Sequence, residues 1–371
     1  MKDSNYRLYF IDAMRAWAIL MMLQGHFIDG LLEPVYKDKT LWSYSLWRYF
    51  RGMTAPVFFT VSGFIFTYLL IRGKKLGIKN PRVEKGVRRG IQLIVIGYLL
   101  RTNLLGILTG NIYKSFYLID VLHCIGFSIL GIIGLYVLTN KTKPFAFTLT
   151  LLLMTLVLFL FEPIYKLWTY PNLPNALANY LTKANGSVFT IIPWFGYATF
   201  GGFMSSLFYK HKEHKYLYPI AIITCAIIGL LLLNSSRIFY EISAATATEL
   251  LVAVYSNNYL FIHLGDVLFI FALFMLFRKY ITHTSILKIG QNTLSIYVVH
   301  FIILYGSFTG LGLYQFFKYS LAPIPAIIGA VVFVIVCTLI TLLYDKYELK
   351  VKATLKRIKQ NALKLFKRDK N

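Results

Sequence analysis

Residues 324–343 read IPAIIGAVVFVIVCTLITLL, twenty consecutive positions without a charged side chain. A helix rises 1.5 Å per residue, so about 20 apolar residues cross the hydrocarbon core of a bilayer. An uncharged run of that length therefore reads as a membrane span. Residues 217–233, LYPIAIITCAIIGLLLL, repeat the pattern. Working outward from these two, apolar runs fall at 10–32, 53–71, 90–109, 117–138, 144–162, 188–209, 216–234, 258–277, 286–308 and 322–344. The expected fold is an all-α integral membrane protein of about ten transmembrane helices. The stretch 244–255 is apolar but short, and Glu249 interrupts it. It reads as a re-entrant or interfacial piece, with an eleventh span left open.

Composition agrees. The chain has 371 residues, 57% hydrophobic and only 15% charged, where a soluble domain has about 45–50% and about 25%. This excludes a disordered chain, a collagen-like chain, a disulfide scaffold and an ordinary soluble enzyme. The net charge of +24 would suggest nucleic acid on a soluble domain, but on a membrane chain it records orientation. With the N-terminus in the cytoplasm and ten spans, 29 of the 39 Lys and Arg residues fall on the cytoplasmic side. That asymmetry over short loops is the positive-inside pattern. It places both termini in the cytoplasm and removes nucleic acid as a partner.

The first span carries Asp12, Arg15 and His26 and is too long and polar for a cleaved signal peptide, so it is expected to stay in the mature protein. Residues 1–345 read as a single polytopic domain without an internal repeat, and 346–371 as a basic cytoplasmic tail. Leu349, Leu355, Ile358, Leu363 and Phe366 among the tail's lysines suggest an amphipathic helix on membrane lipids; a purely topogenic charged tail is the alternative. Cys124, Cys225 and Cys337 lie singly in apolar spans without metal or disulfide spacing. They read as packing residues, and no metal is expected.

Ionisable groups inside spans are costly and mark function by default. Given the alternating direction of the spans, His26, Arg101, Asp120, His123, His263, Asp266 and His300 all fall in one layer, the outer half of the membrane. Each also has a structural reading. His123, His263 and His300 could each be satisfied helix-to-helix hydrogen bonders. Asp120 could cap its span, and Asp266 could pair with Arg101. Outer loops at about 33–50, 163–187 and 235–257 hold Trp42, Trp47, Trp168 and Tyr240, which suit either sugar stacking or the interfacial aromatic belt.

Spacing singles out His26. Ten residues separate it from Arg15, and eleven helical positions make about 16 Å, comparable with an extended phosphopantetheine arm. Arg offers a planar fork of donors to phosphate, and a neutral His takes a proton near neutral pH. The stretch from Ile11 to Ala18 leading to His26 resembles the first span of transmembrane acyltransferases, which include the acyltransferase-3 group and the heparan-α-glucosaminide N-acetyltransferase catalytic-domain group. Thr54–Phe64, Asp120–Gly126 and Pro193–Tyr197 are similar to later motifs of the second group. Gly290–Tyr297 with His300 is similar to the late Gly-x-x-Ser-Leu-x-Tyr-x-x-His of the first.

The resemblance implies acetyl transfer from cytoplasmic acetyl-CoA to a glycan or glycolipid on the far side of a membrane, the bacterial inner membrane being the expected one. His26 matches the family's essential first-span His, and Arg15 its acyl-CoA-associated Arg. CoA phosphates would then sit near Arg15, Lys85, Arg88 and Arg89. Two departures stand out: the Arg-x-x-Arg motif reads Lys85-x-x-Arg88 here, and His123 stands where many members carry Gln. His26 would act as general base or as a transient acetyl carrier. A transporter or flippase using the same intramembrane groups, and a non-catalytic scaffold, are the rival readings; O- against N-acetylation and self-association stay open.

Overall fold

The computed structural model describes residues 8–73, 77–110, 113–140 and 144–368, without the side chains of Leu105, Pro144 and 348–368. Among them the chain is helical, with only two isolated β-bridges, Leu32 to Leu321 and Asn103 to Phe308. The main helices are α1 (Tyr9–Leu31), α2 (Trp42–Ile71), α3 (Pro81–Leu100), α4 (Val121–Leu138), α5 (Pro144–Leu160), α6 (Ile191–Lys210), α7 (Leu217–Leu233), α8 (Ser235–Thr246), α9 (Glu249–Ser256), α10 (Tyr259–Leu276), α11 (Thr284–Gln291), α12 (Thr293–Tyr305) and α13 (Pro323–Arg368).

Each of the ten expected spans falls on a helix or a bent pair of helices. Among the described residues, four helices are by themselves long and apolar enough to cross a membrane: Trp42–Ile71, Lys114–Leu138, Tyr259–Lys279 and Pro323–Tyr347. Two bent pairs, α7 with α8 (58°) and α11 with α12 (71°), make six if each pair is one span. The bend after α7 and the α8–α9 hairpin take up the stretch expected to be re-entrant or interfacial. Apolar side chains also cover the outside of the bundle. Ile324, Ile327, Val331 and Ile335 of α13 and Ile220, Ile223, Ile227 and Leu231 of α7 are exposed, a belt that water would not tolerate and lipid does. The protein is an all-α membrane protein.

Two helices begin well before their expected starts. The second starts at Trp42 rather than 53, and the third at Pro81 rather than 90. The cause is a charge pattern that a linear hydropathy reading penalises. In α3, Val83, Gly86, Gly90, Leu93, Gly97 and Leu100 are buried at alternating steps of three and four, while Arg82, Lys85, Arg88 and Arg89 stay exposed. Asn80 caps the start, its side chain accepting from the Arg82 N–H at 2.9 Å. The same helix ends at Leu100, so Arg101 terminates it rather than lying within a span reaching 109. The last helix runs on without a break into the basic tail as far as Arg368; the tail's apolar face lies outside the described side chains.

Small residues set the closest packing. A Cβ on Gly63 of α2 would strike the backbone of Ala198 on α6, and one on Gly201 of α6 would strike Thr60. Such contacts let two backbones meet without a hydrophobic drive, the usual device inside a membrane. Helix α1 lies at the centre, packed against α2, α10, α11, α12 and α13, and its Met14, Ala18, Ile19 and Leu23 are fully buried.

Candidate active site

The central helix carries the site. His26 lies on α1 with its ring Nδ1 3.2 Å from Nε2 of His300 on α12. The other nitrogen of His300, Nδ1, is hydrogen-bonded to the carbonyl of Tyr297 one turn back. A carbonyl only accepts, so Nδ1 of His300 carries the proton and its Nε2 is the free acceptor. With both rings neutral, His26 then donates from Nδ1 and its Nε2 is the unprotonated nitrogen. His300 is fully buried behind it, whereas His26 is half-buried and opens on a cavity.

That cavity, about 930 Å3, is bounded by the ends of α1, α3 and α12, the first half of α2 and the starts of α4 and α6. Two carboxylate–guanidinium pairs stand on its wall. Arg101 closes α3 and Asp120 opens α4, and because these helices pack together the charges meet, Nε to Oδ2 at 3.3 Å. Asp120 also caps α4, accepting from the Leu122 N–H at 3.1 Å, and Arg101 donates to the Ser115 carbonyl at 3.2 Å. The Arg101 guanidinium lies 6.0 Å from the Phe301 ring centroid, next to His300. The second pair is Arg51 of α2 with Asp29 of α1; Lys37 donates to the backbone carbonyl of the same Asp29 at 2.7 Å. Lys183, on the loop before α6, is a further cation on the wall. Although solvent reaches it, enough protein crowds its ammonium for burial to push the pKa down, only partly offset by Glu162.

The other expected residues fall elsewhere. His123 sits behind Asp120, its Nδ1 3.1 Å from Oδ1, with its ring edge-on to Tyr98 at 4.4 Å. His263 and Asp266 form their own cluster on α10, Nδ1 to Oδ2 at 3.0 Å, and Tyr49 of α2 donates to Asp266 at 2.5 Å. The expected Asp266–Arg101 pair is therefore not formed. Each has a nearer partner, fixed by where its helix ends. Arg15 lies at the opposite end of α1 and donates to Thr293 Oγ1 at 2.8 Å, with Asp12 at 3.9 Å. Arg89, on α3, is exposed and donates to Gln92 Oε1 at 3.1 Å. Lys85 and Arg88 are exposed on α3, and Arg88 faces Glu84 at 3.6 Å. Among the described residues no group of three or more His, Cys, Asp or Glu side chains is arranged to hold a metal.

Sequence reasoning misses Asp29 and Arg51. Asp29 follows His26 by three positions and so shares its helical face, a signal that was available. Arg51 was hidden by starting the second span too late.

Residues 7–244 match the family described as heparan-α-glucosaminide N-acetyltransferase, catalytic, a match that covers well over half of the chain and includes His26, Arg101 and Asp120. The chain belongs to this family. No curated protein matches the chain. Membership makes this heparan-α-glucosaminide N-acetyltransferase-family protein a membrane acetyltransferase. His263, Asp266 and His300 lie beyond the matched segment, so the structure alone brings His300 to the matched His26.

Proposed function

We propose that this protein moves an acetyl group from cytoplasmic acetyl-CoA to a carbohydrate on the far side of a bacterial inner membrane, with ten spans and both termini in the cytoplasm. The family's name makes the amine of an amino sugar the first acceptor to test. The observation that carries the reading is the unprotonated Nε2 of His26 at the wall of a large cavity, held in that tautomer by His300.

In the proposed reaction the acceptor nitrogen attacks the thioester carbonyl while His26 Nε2 removes its proton. The carbon–sulfur bond breaks, and CoA leaves as the thiol with the proton that His26 carries. In a two-step variant Nε2 attacks the thioester carbonyl and the carbon–sulfur bond breaks to release CoA thiolate; the acceptor nitrogen then displaces the imidazole, and its proton goes to the thiolate. Arg15, at the other end of α1, and Arg89, on α3, suit the phosphates of CoA. Arg88 and Lys85 extend that charge along α3. The roughly 16 Å of helix between Arg15 and His26 then matches the reach of the donor's arm.

The test is acetyl transfer from radiolabelled acetyl-CoA to methyl α-glucosaminide by purified protein. Wild type should transfer label, and His26→Ala should fall by about 10²–10⁴-fold, the worth of a positioned general base. Wild-type rates in His26→Ala would overturn the assignment.

A further inference from the structure

The charged side chains on the cavity wall are Asp29, Arg51, Arg101, Asp120 and Lys183. Three cations face two carboxylates, and the pairing shows which cation is left over. Arg51 holds Asp29, and Arg101 holds Asp120. Asp120 is fully engaged, since it also accepts from the Leu122 N–H and meets His123 Nδ1, both at 3.1 Å. Glu162 is taken by Lys166 at 3.3 Å. Lys183 is exposed, and among the described residues its ammonium has no hydrogen-bonding or ion-pair partner.

The backbone beneath that ammonium is nevertheless fixed. The Lys183 carbonyl accepts from the Gly186 N–H at 3.0 Å. The hydroxyl of buried Thr182 accepts from the Ala184 N–H at 3.2 Å. Ser187 accepts from the Ile119 N–H at 3.1 Å, which ties the loop to the residue before Asp120. A merely solvated lysine would keep its full hydration. Here protein crowds the ammonium enough to push its pKa down, a cost that an anion in the cavity would offset.

The acceptor supplies a second argument. An amino sugar in water near neutral pH brings an ammonium, and a wall with surplus positive charge repels it. A negative group on the same sugar offsets that repulsion and helps seat the amine beside His26.

We propose that Lys183 receives an anionic substituent of the acceptor, so that the preferred acceptor is an amino sugar bearing a negative group rather than a neutral glucosaminide. The proposal rests on the function above and adds the charge of the acceptor and the residue that reads it.

Titration calorimetry on the purified full chain, without acetyl-CoA, tests it. Glucosamine 6-phosphate or glucosamine 1-phosphate should bind with a Kd about tenfold below that of glucosamine, the worth of a charge-assisted hydrogen bond. Lys183→Met keeps the aliphatic stem and removes the charge. It should bring the Kd values within about twofold of one another, and Lys183→Arg should restore most of the difference. Equal wild-type Kd values for the plain and phosphorylated sugars overturn the proposal, as does a preference that survives Lys183→Met. Inorganic phosphate binding as tightly as the sugar phosphates also overturns it, because the site then reads a free anion and not an acceptor. Binding needs no acetyl donor, so the two readings fail separately. A wild type that binds the sugar phosphates through Lys183 but acetylates no glucosaminide refutes the function proposed above and leaves the anion site standing.

Discussion

His26 and His300 lie ring to ring, 5.3 Å between centroids, yet their hydrogen bonds give them unlike duties. His300 spends its proton on the Tyr297 carbonyl and its lone pair on His26, so in the proposed reaction it positions the base and does not touch substrate. His300→Leu should therefore lower kcat about 10- to 100-fold, a loss of about 1.4–2.7 kcal/mol, and leave both KM values near wild type. His300→Gln, whose amide oxygen can accept from His26 Nδ1, should recover part of that rate. A merely structural histidine would show no such rescue, and parallel kinetics of the two variants check it. The sequence places both histidines in one layer but cannot pair residues 274 positions apart. It also pairs Asp266 with Arg101 by charge alone. Coulomb attraction names the sign of a partner and not its address, and the address here is set by α3 ending at Leu100 and α4 beginning at Val121.

Between elements, glycine decides how the cavity walls meet. Helices α2 and α6 carry Thr54 and Trp194, and they approach closely because Gly63 and Gly201 leave no side chain between them. Gly201→Ala should force the pair apart and destabilise the protein by about 1–3 kcal/mol. Gly134 in α4 is the control, because a Cβ there would meet nothing within 4 Å. Gly134→Ala should be neutral or stabilise by up to about 1 kcal/mol through helix propensity. Denaturation midpoints of the two variants in detergent make the comparison. The helices themselves are legible in the hydropathy pattern, which puts a run wherever a helix or bent pair lies. Their starts are not, because Arg48 and Arg51 or Arg82, Lys85, Arg88 and Arg89 sit on helices that continue past their apolar segments. The break at Asn292 is invisible to a window average as well, yet it is the 71° bend there that separates the Arg15 contact at Thr293 from the α11 segment packed on Asp12.

At the scale of the whole molecule, α1 joins two ends of unlike chemistry. One end holds Arg15; the other holds the His26 imidazole beside a large cavity with ion pairs on its wall. Composition alone gives the membrane class, since an outer belt of Ile, Val and Leu on α7 and α13 has no other comfortable solvent. On the proposed orientation, the two ends of α1 become a donor side and an acceptor side. The central claim is thus transfer across the bilayer through His26. It is tested most directly in sealed proteoliposomes sorted for one orientation, with radiolabelled acetyl-CoA on the side of the termini and membrane-impermeant glucosaminide on the other. The account predicts acetylated sugar in the acceptor compartment with wild-type protein, and label at least about 100-fold lower with His26→Ala. Product that forms only when both reactants share one side, or an undiminished yield from His26→Ala, would contradict it.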